Sequence, residues 1–336
     1  MSNSPSSSTA SAARPAGPAA RLVDAALELS VVGSFSKLGP SLRRRTAQWV
    51  EPPSPEGRVV VITGATSGLG LEAASALSLA GAQVSLVGRD PHRLDAARRL
   101  LEDRGANGVV TELADLADLN DVEALAGRLL GRLGRLDVLL HNAGALSKTY
   151  VASPQGLEAT LAVHLLAPYL LTERLQPLLA SSAPSRVITM TSGGMYTQRF
   201  DLDALEMPPD RYRGSVAYAR AKRAQVLLTQ EWQRRYGARG IDFFVTHPGW
   251  ADTPGLTAGL PTFAHVLRPL LRSAEEGVDT ELWLATSADV AHRGGTLWLD
   301  RRERGAYHLP WTWVPPERRA AEARALWEWC EAIVQR

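Results

Sequence analysis

Tyr218 and Lys222 stand four residues apart in Tyr218-Ala219-Arg220-Ala221-Lys222, so on a helix they share one face and can address one substrate. A phenol titrates near pH ~10 in water, too high for efficient proton exchange at neutrality, and an adjacent ammonium favours the phenolate. Lys222 would therefore tune Tyr218, which could give a proton to a carbonyl oxygen or take one from an alcohol. Ser192 follows a β-branched run and falls at the carboxyl end of a strand, the edge where open α/β sheets bind ligands. Its hydroxyl could donate a hydrogen bond to the same oxygen. An isolated Tyr and Lys are better explained as a core phenol and a solvated helix charge; the surrounding residues decide against that here.

Upstream, Thr63-Gly64-Ala65-Thr66-Ser67-Gly68-Leu69-Gly70 joins the run 59–63 to a helical stretch that starts near Leu71. Glycines let the chain turn tightly off the strand and let a pyrophosphate approach the backbone, while the helix N-terminus supplies amide donors. Gly64, Thr66, Ser67, Gly68, Leu69 and Gly70 are the candidate dinucleotide contacts. Arg89 lies 19 residues beyond Gly70, at the end of the next strand. An acid there would hold a ribose 2′-hydroxyl and select NAD, whereas a guanidinium can pair with the 2′-phosphate of NADP. NADP is preferred on this reading, with NAD as the alternative and a plain surface arginine as the bland one. Asp90, before Pro91, reads as a helix N-cap.

These residues need a sheet to hold them. Short β-branched runs at 59–63, 83–87, 108–113, 136–142, 186–191, 241–246 and 295–299 alternate with longer amphipathic stretches. The expected fold is α/β, a Rossmann-type doubly wound seven-stranded parallel sheet forming a single domain over 57–310, with no internal repeat. Residues 1–20, mostly Ser, Ala and Pro, read as a disordered tail. Residues 21–56 read as a helical arm carrying Leu22, Leu27, Leu29, Phe35 and Arg43-Arg44-Arg45, closed by a Pro-rich linker. The arm would pack on the main domain or a partner subunit; membrane contact through 21–50 is the less favoured alternative. Residues 311–336 read as a helical extension carrying Ala321, Leu326, Trp327, Cys330 and Ile333.

Composition bounds the rest. The 336 residues are 45% hydrophobic, enough for a core that needs no metal or disulfide. Lys and Arg total 37 against 35 acids, so no basic face for nucleic acid is implied. Cys330 is the sole cysteine and has no internal partner, which points to a reducing compartment. With no secretory signal and no apolar run of ~18 residues, the expectation is cytoplasmic.

The glycine spacing T-G-x-x-x-G-x-G resembles that of the short-chain dehydrogenase/reductase family, and further matches follow in order. Asp115-Leu116 resembles the family's adenine-contacting pair, and His141-Asn142-Ala143-Gly144 its N-N-A-G turn with the first Asn changed. Thr191-Ser192, the Tyr218/Lys222 pair, and Pro248-Gly249 with Thr253 complete the pattern. Runs 187–195, 247–255 and 282–285, with the arm, look most like the family's member 12 group.

The resemblance implies that Asp115, Leu116, Asn142, Ala143, Gly144, Tyr218, Lys222, Pro248, Gly249 and Thr253 also contact the cofactor. It implies a small-molecule alcohol or carbonyl substrate and a homo-oligomer built on helices around 155–180 and 215–238. One departure matters: His164 stands where the family carries a catalytic Asn that helps hold a proton-relaying water. His164 could take over that role, since imidazole both donates and accepts hydrogen bonds, or be a structural histidine in a decayed site. The rival reading is accordingly a catalytically weak, NADP-binding regulatory or scaffold protein; a sugar-nucleotide epimerase fits the glycine spacing less well. Eight of nine tryptophans follow position 230, and Trp250 is the best candidate for contact with a lipophilic substrate.

Overall fold

The structure, a computed structural model, describes residues 17–335. Three helices open it: α1 (Pro18–Glu28), α2 (Val31–Phe35) and α3 (Leu38–Ala47). A regular alternation follows through β1 (Val59–Thr63), α4 (Gly68–Leu79), β2 (Gln83–Gly88), α5 (Pro91–Asp103), β3 (Val109–Leu113), α6 (Leu119–Arg132) and β4 (Val138–His141). A short α7 (Ala159–Leu161) runs through a π-helical turn, Ala162–Leu166, into α8 (Ala167–Ser181). Then come β5 (Ser185–Met190), α9 (Gly214–Tyr236), β6 (Ile241–Thr246), α10 (Pro254–Gly259), α11 (Pro261–Leu267), α12 (Ala274–Thr286), β7 (Thr296–Leu299), β8 (Arg302–Arg304) and α13 (Pro316–Val334).

The sheet order is β3-β2-β1-β4-β5-β6-β7-β8. The first seven strands are parallel, and the order reverses between β1 and β4, which opens a crevice at their carboxyl ends. Thr63 pairs with Val87 on one side and His141 on the other, so the three strand ends finish level.

Strand alternation divides the core. Val61, Leu139, Val187 and Phe243 face the layer of α6, α8, α9 and α13, while Val60, Ile62, Leu140 and Phe244 face α4, α5 and α12. Both faces of β1 are covered, which is why Val-Val-Val-Ile is apolar without alternation before the strand ends at Thr63. Asp90 caps α5 by accepting from the amides of His92 and Arg93 ahead of Pro91, and Ser273 with Glu276 forms a capping box on α12.

The seven-strand expectation is corrected by one. β8 returns antiparallel on β7 through a two-residue turn, Asp300-Arg301, with φ of 53° and 55°. Two left-handed residues give the backbone twist that a tight hairpin needs. Arg302-Glu303-Arg304 offers no apolar alternation, so the strand leaves little trace in the sequence.

The expected tail 1–20 falls largely outside the described residues, and α1 already begins at Pro18. In the arm Leu27 and Phe35 are buried, whereas Leu22 and Leu29 are exposed. α13 buries Ala323, Leu326, Trp327, Cys330 and Ile333 but leaves Ala321 exposed. Trp327 stacks edge-on against Tyr169 of α8 and Tyr236 of α9, so α13 takes part of the helical surface that the family resemblance assigns to subunit contact. Among the described residues no helix is long and apolar enough to cross a membrane, and no His, Cys, Asp and Glu cluster could hold a metal ion.

Candidate active site

A cavity of about 840 Å³ opens over the carboxyl ends of the central strands. Its lining includes every candidate residue named from the sequence except His164.

One end is made of backbone. Gly64 and Gly68 take φ of 68° and 55°, a left-handed conformation that turns the chain from β1 into α4. A Cβ on Gly70 would lie 2.4 Å from the Gly64 carbonyl oxygen, and one on Gly64 would lie 2.6 Å from Ala143 Cα. Helix α4 therefore packs directly on the β1 turn, which in turn packs on the Asn142-Ala143-Gly144 turn. No side chain caps the N-terminus of α4, leaving its first-turn amides free for an anion. Arg89 is exposed at this rim beside Thr66 and Arg93, while Asp115 and Leu116 close the side after β3.

Thr63, absent from the sequence-derived site, organises the turn beyond β4. Its hydroxyl accepts from the amides of Asn142 (3.1 Å) and Ala143 (3.2 Å) and donates to the Leu140 carbonyl (3.3 Å). The Asn142 side chain donates to Glu281 of α12 at 3.3 Å. Glu281 is wholly buried, and burial pushes its carboxyl up to about 8. Only the strand-end position of Thr63 could have flagged it; nothing in the sequence marks Glu281.

The reactive groups meet in the middle. Ser192 ends the strand segment and caps the short turn that follows by accepting the Gly194 amide proton at 3.4 Å, and it lines the cavity together with Tyr218. Burial raises the Tyr218 phenol above its ordinary value, and the neighbouring Ser192 hydroxyl pulls it partly back. Lys222, one turn further along α9, donates from Nζ to the Met190 carbonyl at 2.7 Å and lies 5.5 Å from the Tyr218 ring centre. Burial brings its ammonium down to about 7. Thr191 braces the helix by donating to the Lys222 carbonyl at 2.8 Å. The sequence argument expected Lys222 to lower the phenol; in the structure burial of Tyr218 sets the direction, upward.

His164 sits behind this group in the π-turn. Its Nδ1 faces the Thr160 carbonyl at 2.7 Å, and its Nε2 accepts the Ala145 amide proton at 3.2 Å. Those partners assign the neutral tautomer with the proton on Nδ1. Burial first, then the Lys222 charge, holds the ring near a pKa of about 3 against the favourable Thr160 contact. Gln225 closes the His164 carbonyl with a 2.7 Å bond.

The other end is aromatic and includes the arm, which the sequence did not connect with the cavity. Trp250 lines it, with Leu256 on α10, Phe263 on α11 and Leu260 between the two helices. Thr253 caps α10 by accepting from Leu256, and Gly249 (φ 72°) passes so close to Arg272 that a Cβ there would lie 2.2 Å from Nε. Val31 and Phe35 complete this wall. Of the other late tryptophans, Trp298 is buried in the core, and Trp311 and Trp313 are exposed away from the cavity.

A backbone cradle at a helix N-terminus, placed where the strand order reverses and opening onto a buried Ser, Tyr and Lys, defines a Rossmann-type oxidoreductase that works with a nicotinamide dinucleotide. The comparisons agree with that class. The sequence model of the short chain dehydrogenase family matches residues 58–260, and the chain belongs to the short-chain dehydrogenase/reductase family. It is 36% identical over 256 residues to human dehydrogenase/reductase SDR family member 12, covering 76% of this chain and 80% of that one. A protein of Streptomyces sp. strain C5 described as a daunorubicin C-13 ketoreductase is 36% identical over 247 residues, 73% of this chain and 84% of that one. Among solved structures, a protein of Beutenbergia cavernae described as an NAD(P)-dependent gluconate 5-dehydrogenase, with NADP bound at low occupancy, superposes with a TM-score of 0.62. It is 25% identical and the match covers 74% of this chain and 96% of that one.

Proposed function

We propose that the protein interconverts a lipophilic ketone or aldehyde and its alcohol with NADP(H) as preferred cofactor, Tyr218 acting as general acid/base. The observation that carries this reading is the placement of Ser192, Tyr218 and Lys222 together in one continuous cavity, between the glycine cradle and the aromatic end. In the reduction direction the substrate oxygen accepts from Ser192 and takes the Tyr218 proton. A bound nicotinamide would supply hydride to the carbonyl carbon. A buried phenol held above its ordinary value stays protonated at neutrality, the form that acts as the acid in the reduction direction. The phenolate left behind is countered by Lys222, whose pKa of about 7 makes its charge available near neutrality.

Arg89 and Arg93 make no ion pair among the described residues and stand at the rim of the cradle, which supports a 2′-phosphate and hence NADP. The aromatic wall supports a lipophilic substrate, as does likeness to a protein described as acting on a ketone of daunorubicin. His164 is assigned as a positioning residue for the 142–145 turn, because both ring nitrogens are engaged and the ring stays neutral. The same saturation favours the second reading, a protein that binds NADP and turns over weakly.

Titration with NADPH and NADH followed by a carbonyl panel separates the two. The reductase reading expects tighter NADPH than NADH, a preference weakened by Arg89→Asp. It also expects turnover lowered about 10²–10⁴-fold by Tyr218→Phe with NADPH affinity retained. Tight NADPH binding with no turnover of any carbonyl would leave the second reading.

A further inference from the structure

The arm is held to the substrate end of the cavity by a buried charge cluster. Arg43, 2% exposed, donates from Nε to Asp24 (2.7 Å), from Nη1 to Asp300 (2.5 Å) and from Nη2 to Glu28 (2.7 Å). Arg272, equally buried, bonds Asp300 at 2.7 Å and, from the arm, the carbonyls of Ser34 (2.6 Å) and Phe35 (3.0 Å). The Phe35 carbonyl also accepts the Trp250 amide at 2.7 Å, which ties arm and substrate wall backbone to backbone.

This clamp sets the Phe35 ring against the reactive centre. Its centre lies 4.3 Å from that of His247 and 6.0 Å from that of Trp250, which in turn lies 5.3 Å from Phe263. Gly193, the residue after Ser192, lies against the Phe35 ring: a Cβ there would meet it at 3.1 Å. Val31, one turn earlier on α2, lines the same cavity and is 56% exposed, so it stands at the mouth. Resting on the reductase reading above, we infer that the arm is a structural part of the substrate subsite: Phe35 and Val31 set the size and shape of the carbonyl compound admitted beside Ser192. A segment 157 residues away in sequence from the serine (Phe35 to Ser192) thereby acts as a specificity determinant.

The test compares Phe35→Ala, Val31→Trp and a control, Leu22→Ala, whose side chain is exposed on the arm outside the cavity. Each is titrated calorimetrically, loaded with NADP⁺, with acetophenone, 2-acetylnaphthalene and 2-acetylanthracene, and is assayed for their reduction with NADPH. Phe35→Ala is expected to shift the large-to-small affinity ratio at least tenfold towards the large ketone, and Val31→Trp to shift it as far the other way. Leu22→Ala should leave the ratio within twofold, and all three should keep NADPH affinity within twofold. Should Phe35→Ala fail to fold, the half-exposed Val31→Trp still decides. Ratios unchanged in Val31→Trp, an equal shift in Leu22→Ala, or no binding of any ketone would each overturn the inference. Graded binding without reduction by the wild type would leave the arm's role standing and remove the reductase reading instead.

Discussion

The two ends of the cavity are built by opposite means. The cradle end is built around one consecutive stretch, Gly64–Gly70, whose glycines bring backbone to backbone, and over a neutral acid: Glu281 stays protonated up to about 8 beneath Asn142. The substrate end is made of segments far apart in the chain and held by full charges, with Asp24, Glu28 and Asp300 among Arg43, Arg272, Arg302 and Arg304. A phosphate-bearing cofactor asks the same backbone geometry of every relative, so it can be met by local sequence. A substrate wall assembled from four segments can be changed without disturbing the cradle.

Breaking the clamp should produce the largest effect on stability. Arg43→Ala would leave Asp300 short of one of its two buried partners, Asp24 with Arg302 and Arg304, and Glu28 with Arg304 and the Ser34 hydroxyl. Removing one partner from a buried ion cluster costs about 3–5 kcal/mol. Chemical denaturation should read that loss, and the substrate end should be the first to open by hydrogen exchange. Equal loss of protection around Gly64–Gly70 at the same denaturant would show that the two ends do not behave as separate structures.

The same contrast explains what could be read beforehand. The cradle was legible because its glycine stretch is consecutive and each signal has a local physical reason: a left-handed turn at Gly64, a close approach at Gly70, and, after the next strand, a cap at Asp90. The spacing of Tyr218 and Lys222 was legible for the same reason, one helix face. The arm's place was not, because nothing in Val31 or Phe35 tells which of several apolar surfaces a short helix will meet. Nor was β8, whose Arg-Glu-Arg is held by a turn conformation and not by apolar alternation. Burial was the other hidden quantity: it reverses the expected tuning of Tyr218 and keeps His164 neutral, and no residue count foretells it.

The charge contrast gives the ends opposite responses to pH. Glu281 has a folded pKa of about 8 against an ordinary value of 4.5, so between those values the folded protein binds one more proton than the unfolded chain. Stability therefore falls as pH rises through that window, by about 1.4 kcal/mol per unit from this group. Asp24 runs the other way: burial opposes its charge, but Arg304 and Arg43 outweigh it and hold the carboxyl well below 3.8. Its contribution is present above 3.8 and is lost as pH falls further. Glu281→Gln keeps an acceptor for Asn142 and should flatten the slope between pH ~5 and ~8 in thermal melts without touching the acid limb. An unchanged slope would mean that the acid beneath the cradle is not held neutral.

His164 stands where the two ends meet, edge-on to Tyr218 with ring centres 5.1 Å apart and bonded to the Ala145 amide just beyond the cradle turn. If the ring only holds that turn, the proton it carries on Nδ1 is committed to Thr160 and never reaches solvent. His164→Asn then removes a brace and no relay: kcat should be kept or rise by a few fold, NADPH affinity should stay the same, and the pH profile of kcat should remain that of Tyr218 and Lys222. A loss of tenfold or more in kcat with unchanged NADPH affinity would assign the imidazole a part in the proton path. The reactive centre would then belong as much to the π-turn as to α9, and the division of the cavity into two ends would have to become three.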